Sequence, residues 1–363
     1  MKYIDQYRDA DLGKKLASKI ERLSTRPARL MEFCGGHTVA VMKNGIRQLL
    51  PPTVELLSGP GCPVCVTSNT DIDKAIALSL LQNVIIATFG DMMKVPGSYS
   101  SLQQARANGA DIRIVYSVQD ALQIAVQNPD KSVIFLGIGF ETTAPTVAAS
   151  ILQADDQKIN NFFVLSLLKL CPPVMKALLD LGEIKLHGII GPGHVSAIIG
   201  SKPYRFIPRD YGIACVISGF EVLDILLSIY MLVEQVEAGK PEVEIAYRRG
   251  VRPEGNTKAQ ELIKHVFKSD NADWRGIGII ADSGLRLKQK FKKFDADHAF
   301  PLILKPARQP KGCICGSILR GVQTPADCTL FNKVCTPDSP VGPCMVSSEG
   351  ACAAYSMYGE LNG

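Results

Sequence analysis

An apolar run that stops at a glycine-rich break recurs along this chain, and few architectures tolerate that pattern. Met31-Glu32-Phe33 runs into Cys34-Gly35-Gly36-His37-Thr38, Val54-Glu55-Leu56-Leu57 into Gly59-Pro60-Gly61-Cys62, and Val84 to Phe89 into Gly90-Asp91. Farther on, Val133 to Leu136 leads to Gly137-Ile138-Gly139-Phe140-Glu141, Gly188-Ile189-Ile190 to Gly191-Pro192-Gly193-His194, and Ile213 to Ile217 to Ser218-Gly219-Phe220-Glu221. Ile112 to Tyr116 and Phe162 to Leu167 are further runs of the same kind. Short apolar runs separated by helix-like segments are strands buried on both faces, so the chain is expected to be α/β with parallel sheets. Binding residues in such sheets gather at the carboxyl ends of the strands, which is where the glycine breaks fall.

The chain has 363 residues, too many for one ordinary core. The run-and-break plan occurs twice, and both halves contain a Gly-Pro-Gly turn. The expectation is two related parallel-sheet α/β domains around a central cleft, over residues 1–125 and 126–245, followed by a small C-terminal iron–sulfur domain over 246–363. The first thirty residues form an amphipathic helix on this reading. Pro241 to Gly255, charged and turn-rich, is a linker, and Gly276 to Ile280 is one more strand.

Charge excludes some partners. The formal net charge is +5, with one dense basic run, Lys288, Lys290, Lys292 and Lys293, that fits a solvated helix face. Aromatic and basic residues do not interleave as in nucleic-acid binders. The longest apolar stretch, Leu223 to Val233, is interrupted by Asp224 and too short to span a bilayer. Met1-Lys2-Tyr3-Ile4-Asp5 lacks the apolar run of a secretory leader. A soluble cytoplasmic protein is expected, with no nucleic-acid or membrane partner.

In that compartment thiols stay reduced, so clustered cysteines point to metal or redox chemistry. Six of the eleven cysteines lie between residues 313 and 352: Cys313, Cys315, Cys328, Cys335, Cys344 and Cys352. The segment is rich in Pro and Gly with little apolar periodicity, and a metal would staple it. No Cys-x-x-Cys pair of the usual zinc kind occurs there, and wide spacing suits an iron–sulfur cluster. Zinc and inert buried thiols are the alternatives. Cys62-Pro63-Val64-Cys65 is a candidate redox dithiol, with Thr67 and Ser68 as helix caps whose helix N-terminus would lower a thiol pKa. Half a zinc site or a structural pair would give the same spacing. Cys34 and His37, on a glycine turn, have the residue types of an iron-binding pair or of a Cys–His nucleophile. A structural cysteine with a surface histidine is the bland alternative. Asp91, Glu141 and His194 stand at strand ends and are expected to line one cleft. Gly137-x-Gly139 lacks the third glycine of a dinucleotide site, no P-loop is present, and Cys171 and Cys215 sit in apolar surroundings expected to be inert core.

Together these motifs resemble the HypD family of [NiFe]-hydrogenase maturation proteins. The resemblance rests on Phe33-Cys34-Gly35-Gly36-His37-Thr38, Gly59-Pro60-Gly61-Cys62-Pro63-Val64-Cys65, Thr88-Phe89-Gly90-Asp91-Met92, Pro96-Gly97-Ser98, Gly139-Phe140-Glu141-Thr142-Thr143 and Gly191-Pro192-Gly193-His194-Val195-Ser196. Fourteen, six and sixteen residues separate Cys313, Cys328, Cys335 and Cys352, which is the family's spacing. The resemblance implies that these four cysteines hold a [4Fe-4S] cluster and that Cys315 and Cys344 are not ligands. It implies a scaffold that, with the small chaperone HypC, assembles the Fe(CN)2CO unit. HypE, the cyanide donor loaded through HypF, docks on that complex, and the unit passes to the hydrogenase large subunit. On this reading Cys34 ligates the iron, with His37 orienting the site or moving protons. Cys62 and Cys65 exchange electrons fed by the cluster. A cluster-dependent disulfide reductase similar to ferredoxin–thioredoxin reductase is the competing function, and a binding protein with a purely structural cluster is a third.

Overall fold

In a computed structural model, which describes residues 5–359, the apolar runs are strands with almost every side chain out of water. In chain order they are β1 (Ala28–Glu32), β2 (Val54–Ser58), β3 (Val84–Thr88), β4 (Asp111–Ile114), β5 (Ser132–Gly139), β6 (Phe162–Leu168), β7 (Gly188–Pro192), β8 (Ala214–Ser218) and β9 (Val243–Ile245). They form two parallel sheets, β2-β1-β7-β8-β9 and β4-β3-β5-β6. Numbered within its own sheet, the first has the order 2-1-3-4-5 and the second 2-1-3-4. The two domains therefore share one doubly wound plan, as expected. In such a plan the crevice lies where the strand order reverses, beside the first strand. That switch point falls between β1 and β7 in one sheet and between β3 and β5 in the other.

The division of the chain differs from the expected cut at residue 125. Both edges of β1 are taken by β2 and β7, so the first sheet is built from 28–58 and 188–245, and the second, 84–168, is an insertion within it. Residue 125 falls between β4 and β5, inside the second sheet. Part of the expected linker is also structured, since β9 pairs with β8 along the sheet edge. The helix Thr257–Val266 packs on Ala144–Asp156 of the inserted domain. A two-stranded antiparallel hairpin follows, β10 (Phe267–Trp274) and β11 (Gly278–Leu287), lying on β6 and the helix Cys171–Leu181. The chain from residue 246 is thus not a separate body.

The helix Ala10–Leu23 bears out the amphipathic start: Gly13, Ala17 and Ile20 are buried, and Ile20 joins Ile225, Leu226 and Ile229 in one apolar cluster. Lys288, Lys290 and Lys293 face solvent. Met1 to Ile4, part of the start read as lacking a leader, lie outside the described residues. No described helix is long and apolar enough to cross a membrane.

Candidate functional site

Cys34 follows β1 directly and stands at the N-cap of the helix Gly35–Lys43. Its backbone lies against the Gly-Pro-Gly turn after β2: Gly35 N–H donates to Gly61 O at 3.1 Å, and a Cβ on Gly61 would collide with the Cys34 backbone. Glycine is required there because two chains touch main chain to main chain. From the opposite side Glu349 presses on Gly35, where a side chain would clash with it. The half-buried Cys34 thiol is pushed up to about 12. Burial is the main cause, Glu349 adds to it, and the backbone N–H groups of Gly36 and His37 pull the other way.

His37 is fully buried. Its Nε2 lies 3.0 Å from Gly219 O, and Nδ1 is buried with no hydrogen-bond partner. The ring stacks on Phe220 at 4.7 Å, and His194 stacks on the same phenyl ring at 3.8 Å. Burial lowers the His37 pKa to about 4, which keeps the imidazole neutral. No hydrogen bond joins it to the Cys34 thiol among the described residues. The pair expected from the sequence thus shares one turn, but the imidazole is engaged with Gly219 and Phe220.

The inserted domain contributes from its own switch point. Asp91, after β3, accepts a hydrogen bond from Ser347 Oγ at 3.3 Å, and its charge acts on Glu349. Glu141, after β5, is 2% exposed. Its Oε1 accepts from Cys171 N–H at 2.9 Å, its Oε2 has no partner, and burial raises its pKa to about 7. Cys171, the first residue of the helix after β6, is buried core as expected, its backbone N–H held by Glu141 and its thiol pushed well above the ordinary value by burial. Cys215 is buried within β8, as expected. His194 lies at the sheet-one switch point, and Asp91 reaches the Cys34 turn through Glu349. Beside Cys34 an open pocket is lined by Gly36, Phe220, Glu221 and Glu349, with Arg8 and Lys43 at its edge.

Cys62 begins the four-residue helix Pro63–Val66, and Cys65 N–H donates to Cys62 Sγ at 3.3 Å. The two sulfurs are 2.8 Å apart, and both side chains are buried. The expected fall in a thiol pKa does not occur at Cys65, which burial pushes well above the ordinary value. Ser68 caps the next helix, Asn69–Ser79, while Thr67 Oγ1 donates back to Pro63 O at 2.8 Å.

Cys65 Sγ reaches Pro343 O, next to Cys344, at 3.8 Å, and Cys344 Sγ lies 2.7 Å from Cys315 Sγ, two residues from Cys313. Six cysteines, Cys313, Cys315, Cys328, Cys335, Cys344 and Cys352, line one apolar cavity with Ile318, Leu330, Phe331 and Met345. Cys313, Cys328, Cys335 and Cys352, the four of the family spacing, fit a cluster. They face one enclosed space, Val341 N–H donates to Cys335 Sγ at 3.3 Å, and Gly342 leaves room beside Cys313 that a Cβ would fill. Among the described residues no three His, Cys, Asp or Glu side chains meet as a single-ion site requires. The sulfurs surround a volume, which suits metals at the corners of a cluster. The Cys315–Cys344 contact was not legible in the sequence, because twenty-eight residues separate the two positions.

Two doubly wound domains, a dithiol turn packed against the Cys34 turn and a cavity ringed by cysteines carry the donor groups of thiol and iron–sulfur chemistry. Comparison with known proteins narrows this. The family model described as "HypD: Hydrogenase formation hypA family" matches residues 11–359. The "Hydrogenase maturation factor HypD" of Cupriavidus necator is 46% identical, over 99% of this chain and 98% of its own. That of Rhizobium leguminosarum bv. viciae is 47% identical, over 99% and 96%, and that of Azotobacter vinelandii 46%, over 99% and 97%. The chain belongs to the HypD family, and its place is in hydrogenase maturation.

Proposed function

We propose that this chain is a redox-active scaffold on which the Fe(CN)2CO unit of [NiFe]-hydrogenase is assembled, in a cytoplasmic setting that keeps its thiols reduced. One observation carries the reading: the Cys34 turn and the Cys62–Cys65 turn are packed backbone to backbone, and Cys65 abuts Pro343 beside Cys344, whose sulfur touches Cys315 at the edge of the cysteine-lined cavity.

The iron unit is the cargo. Low-spin ferrous iron carrying cyanide and carbonyl takes soft ligands, and Cys34 offers a sulfur beside Gly36, which lines an open pocket. Ordinarily its proton is tightly held, so iron must displace it, and Glu349 beside the turn is placed to receive a proton. The open pocket admits the N-terminal cysteine of a HypC-type chaperone as the second sulfur ligand. HypE, charged through HypF, delivers cyanide to that complex before the unit moves to the hydrogenase large subunit. His37, neutral and clamped between Gly219 and Phe220, fixes the helix that presents Cys34. Cys62 and Cys65 release two electrons and two protons on closing to a disulfide, and recover both when reduced. Cys313, Cys328, Cys335 and Cys352 would hold a [4Fe-4S] cluster, which when bound supplies one-electron transfer.

The dithiol and the cysteine-lined cavity alone would equally serve an iron–sulfur-dependent disulfide reductase, and Cys34 separates the two functions. Infrared spectra of the chain, purified without oxygen together with its chaperone, should show cyanide and carbonyl bands that vanish in Cys34→Ala while cluster absorbance remains. Full maturation by Cys34→Ala would remove the scaffold assignment.

A further inference from the structure

Arg275 is a buried charge that the function above leaves idle. It is 3% exposed. Its backbone N–H donates to Val66 O at 2.9 Å and its Nε to Thr67 O at 2.8 Å, the carbonyls that close the turn carrying Cys65. On the other side, Gly276 lies so tightly on Gly316 that a Cβ on it would collide with backbone, which brings Arg275 beside Cys315. Nη2 is buried and has no hydrogen-bond partner. The groups whose charge acts on it most are the sulfurs of Cys315, Cys344, Cys313 and Cys65, and none is a carboxylate.

A guanidinium held out of water without a counter-ion is costly, and an anion formed beside it recovers part of that cost. Neither a neutral dithiol nor a disulfide supplies one. A pair that has taken up two electrons and a single proton does.

We propose that Arg275 is a positioning residue of the electron path, its guanidinium holding the negative charge that reduction places on the Cys62–Cys65 pair. The step balances: the S–S bond plus two electrons plus one proton gives one thiol and one thiolate, with the thiolate on Cys62, which accepts from the Cys65 thiol and from Cys65 N–H, and Arg275 holds the turn that carries both. The electrons come from an external reductant, a dithiol in the experiment below. The inference rests on the thiol-redox part of the proposed function and concerns how readily that pair is reduced.

A fixed positive charge favours the reduced form, so removing it shifts the thiol equilibrium towards the disulfide. Full-length protein is equilibrated anaerobically with graded ratios of reduced and oxidised dithiothreitol. It is then alkylated, and the Cys62–Cys65 peptide is resolved by mass. Arg275→Gln should move the equilibrium constant about tenfold towards the disulfide, about 30 mV, and Arg275→Lys should restore it to within about threefold because the charge is kept. Thermal unfolding is recorded for both. An unchanged constant in Arg275→Gln, or equal shifts in the two variants alongside equal loss of stability, would reduce Arg275 to a peg for the Val66 and Thr67 carbonyls. If the Gln variant does not fold, the Lys variant decides alone: a wild-type constant supports the proposal and a tenfold shift overturns it. Failure of the underlying function looks different. Full maturation by Cys62→Ser would remove the dithiol from the reaction and leave the effect of Arg275 on the equilibrium intact.

Discussion

The two sheets and the cysteine segment 313–352 are held together by different physics. Every side chain of β3 and β8 is buried, and the sheets close around apolar clusters contributed by all their helices. The segment has the short helix Cys315–Leu319, single turns at Pro325–Asp327 and Pro343–Met345, a one-residue bridge between Phe331 and Cys335, and the first turn of the helix Ala351–Tyr358, which carries Cys352. Its buried side chains are Cys315, Cys335, Cys344 and Cys352 with Ile318, Leu319, Pro325, Pro343, Met345, Ser347 and Ala351. Hydrophobic burial therefore specifies the domains, whereas the segment has little regular structure and leans more on what its sulfurs bind. A protein can place a reactive cofactor on a rigid frame in this way without making the frame's stability hostage to that cofactor.

The largest effect expected from this contrast follows loss of one of the four cysteines proposed to hold the cluster. Cys328→Ser should abolish the visible absorbance of the cluster and expose the 313–352 segment to limited proteolysis, while far-UV circular dichroism of the sheets changes little. Simultaneous unfolding of the sheets would collapse the distinction. Next, Ile190→Ala, at a fully buried position in β7, should cost roughly 2–5 kcal/mol in urea unfolding. The cluster signal should persist until the sheets themselves melt. Its loss ahead of them would show that the segment leans on sheet one more than the packing implies.

The third effect is acid sensitivity on the sheet side. Burial holds His37 at about 4 against an ordinary 6.5, so the folded state refuses a proton that the unfolded chain accepts. Stability from this group is complete above pH 6.5 and falls as pH drops from 6.5 towards 4, by roughly 3 kcal/mol at most. Glu32, raised to about 8, and Glu141, raised to about 7, act in the opposite sense: each neutral carboxyl favours folding at low pH, and that benefit fades as pH climbs from about 4.5 through the raised value. The informative quantity is therefore the difference between wild type and His37→Gln. Identical acid limbs for the two would show that His37 takes up its proton without leaving its pocket.

Strands were legible wherever burial on both faces produced an apolar run, which is why β1 to β8 could be located from sequence. Val243-Glu244-Ile245 was hidden in charged surroundings because an edge strand of three residues needs no long apolar run. β10 was hidden because Lys268, Ser269, Asp270 and Asn271 face water. Strand order was not legible either: beyond β2, β1 takes as its second partner β7, with Leu30 opposite Gly188, 158 residues away. At the site, glycine breaks located Cys34, Asp91, Glu141 and His194, because close backbone approach leaves glycine in the sequence. The Cys315–Cys344 contact and the unpartnered Nη2 of Arg275 left no such mark. A thiol or a guanidinium reads the same in sequence whether it faces solvent or another sulfur.

The insertion of one domain within the other also orders events during synthesis. β1 and β2 leave the ribosome first but cannot complete their sheet until β7, β8 and β9 follow, after residue 188. β3 to β6 are all available by residue 168, so the inserted domain can close while its host is still half made. The Cys62–Cys65 turn lies on the segment joining the waiting strands to the finished ones, and Cys313 to Cys352 emerge last. The nascent chain thus carries its dithiol exposed, with no cluster yet behind it, for most of the time it takes to be made.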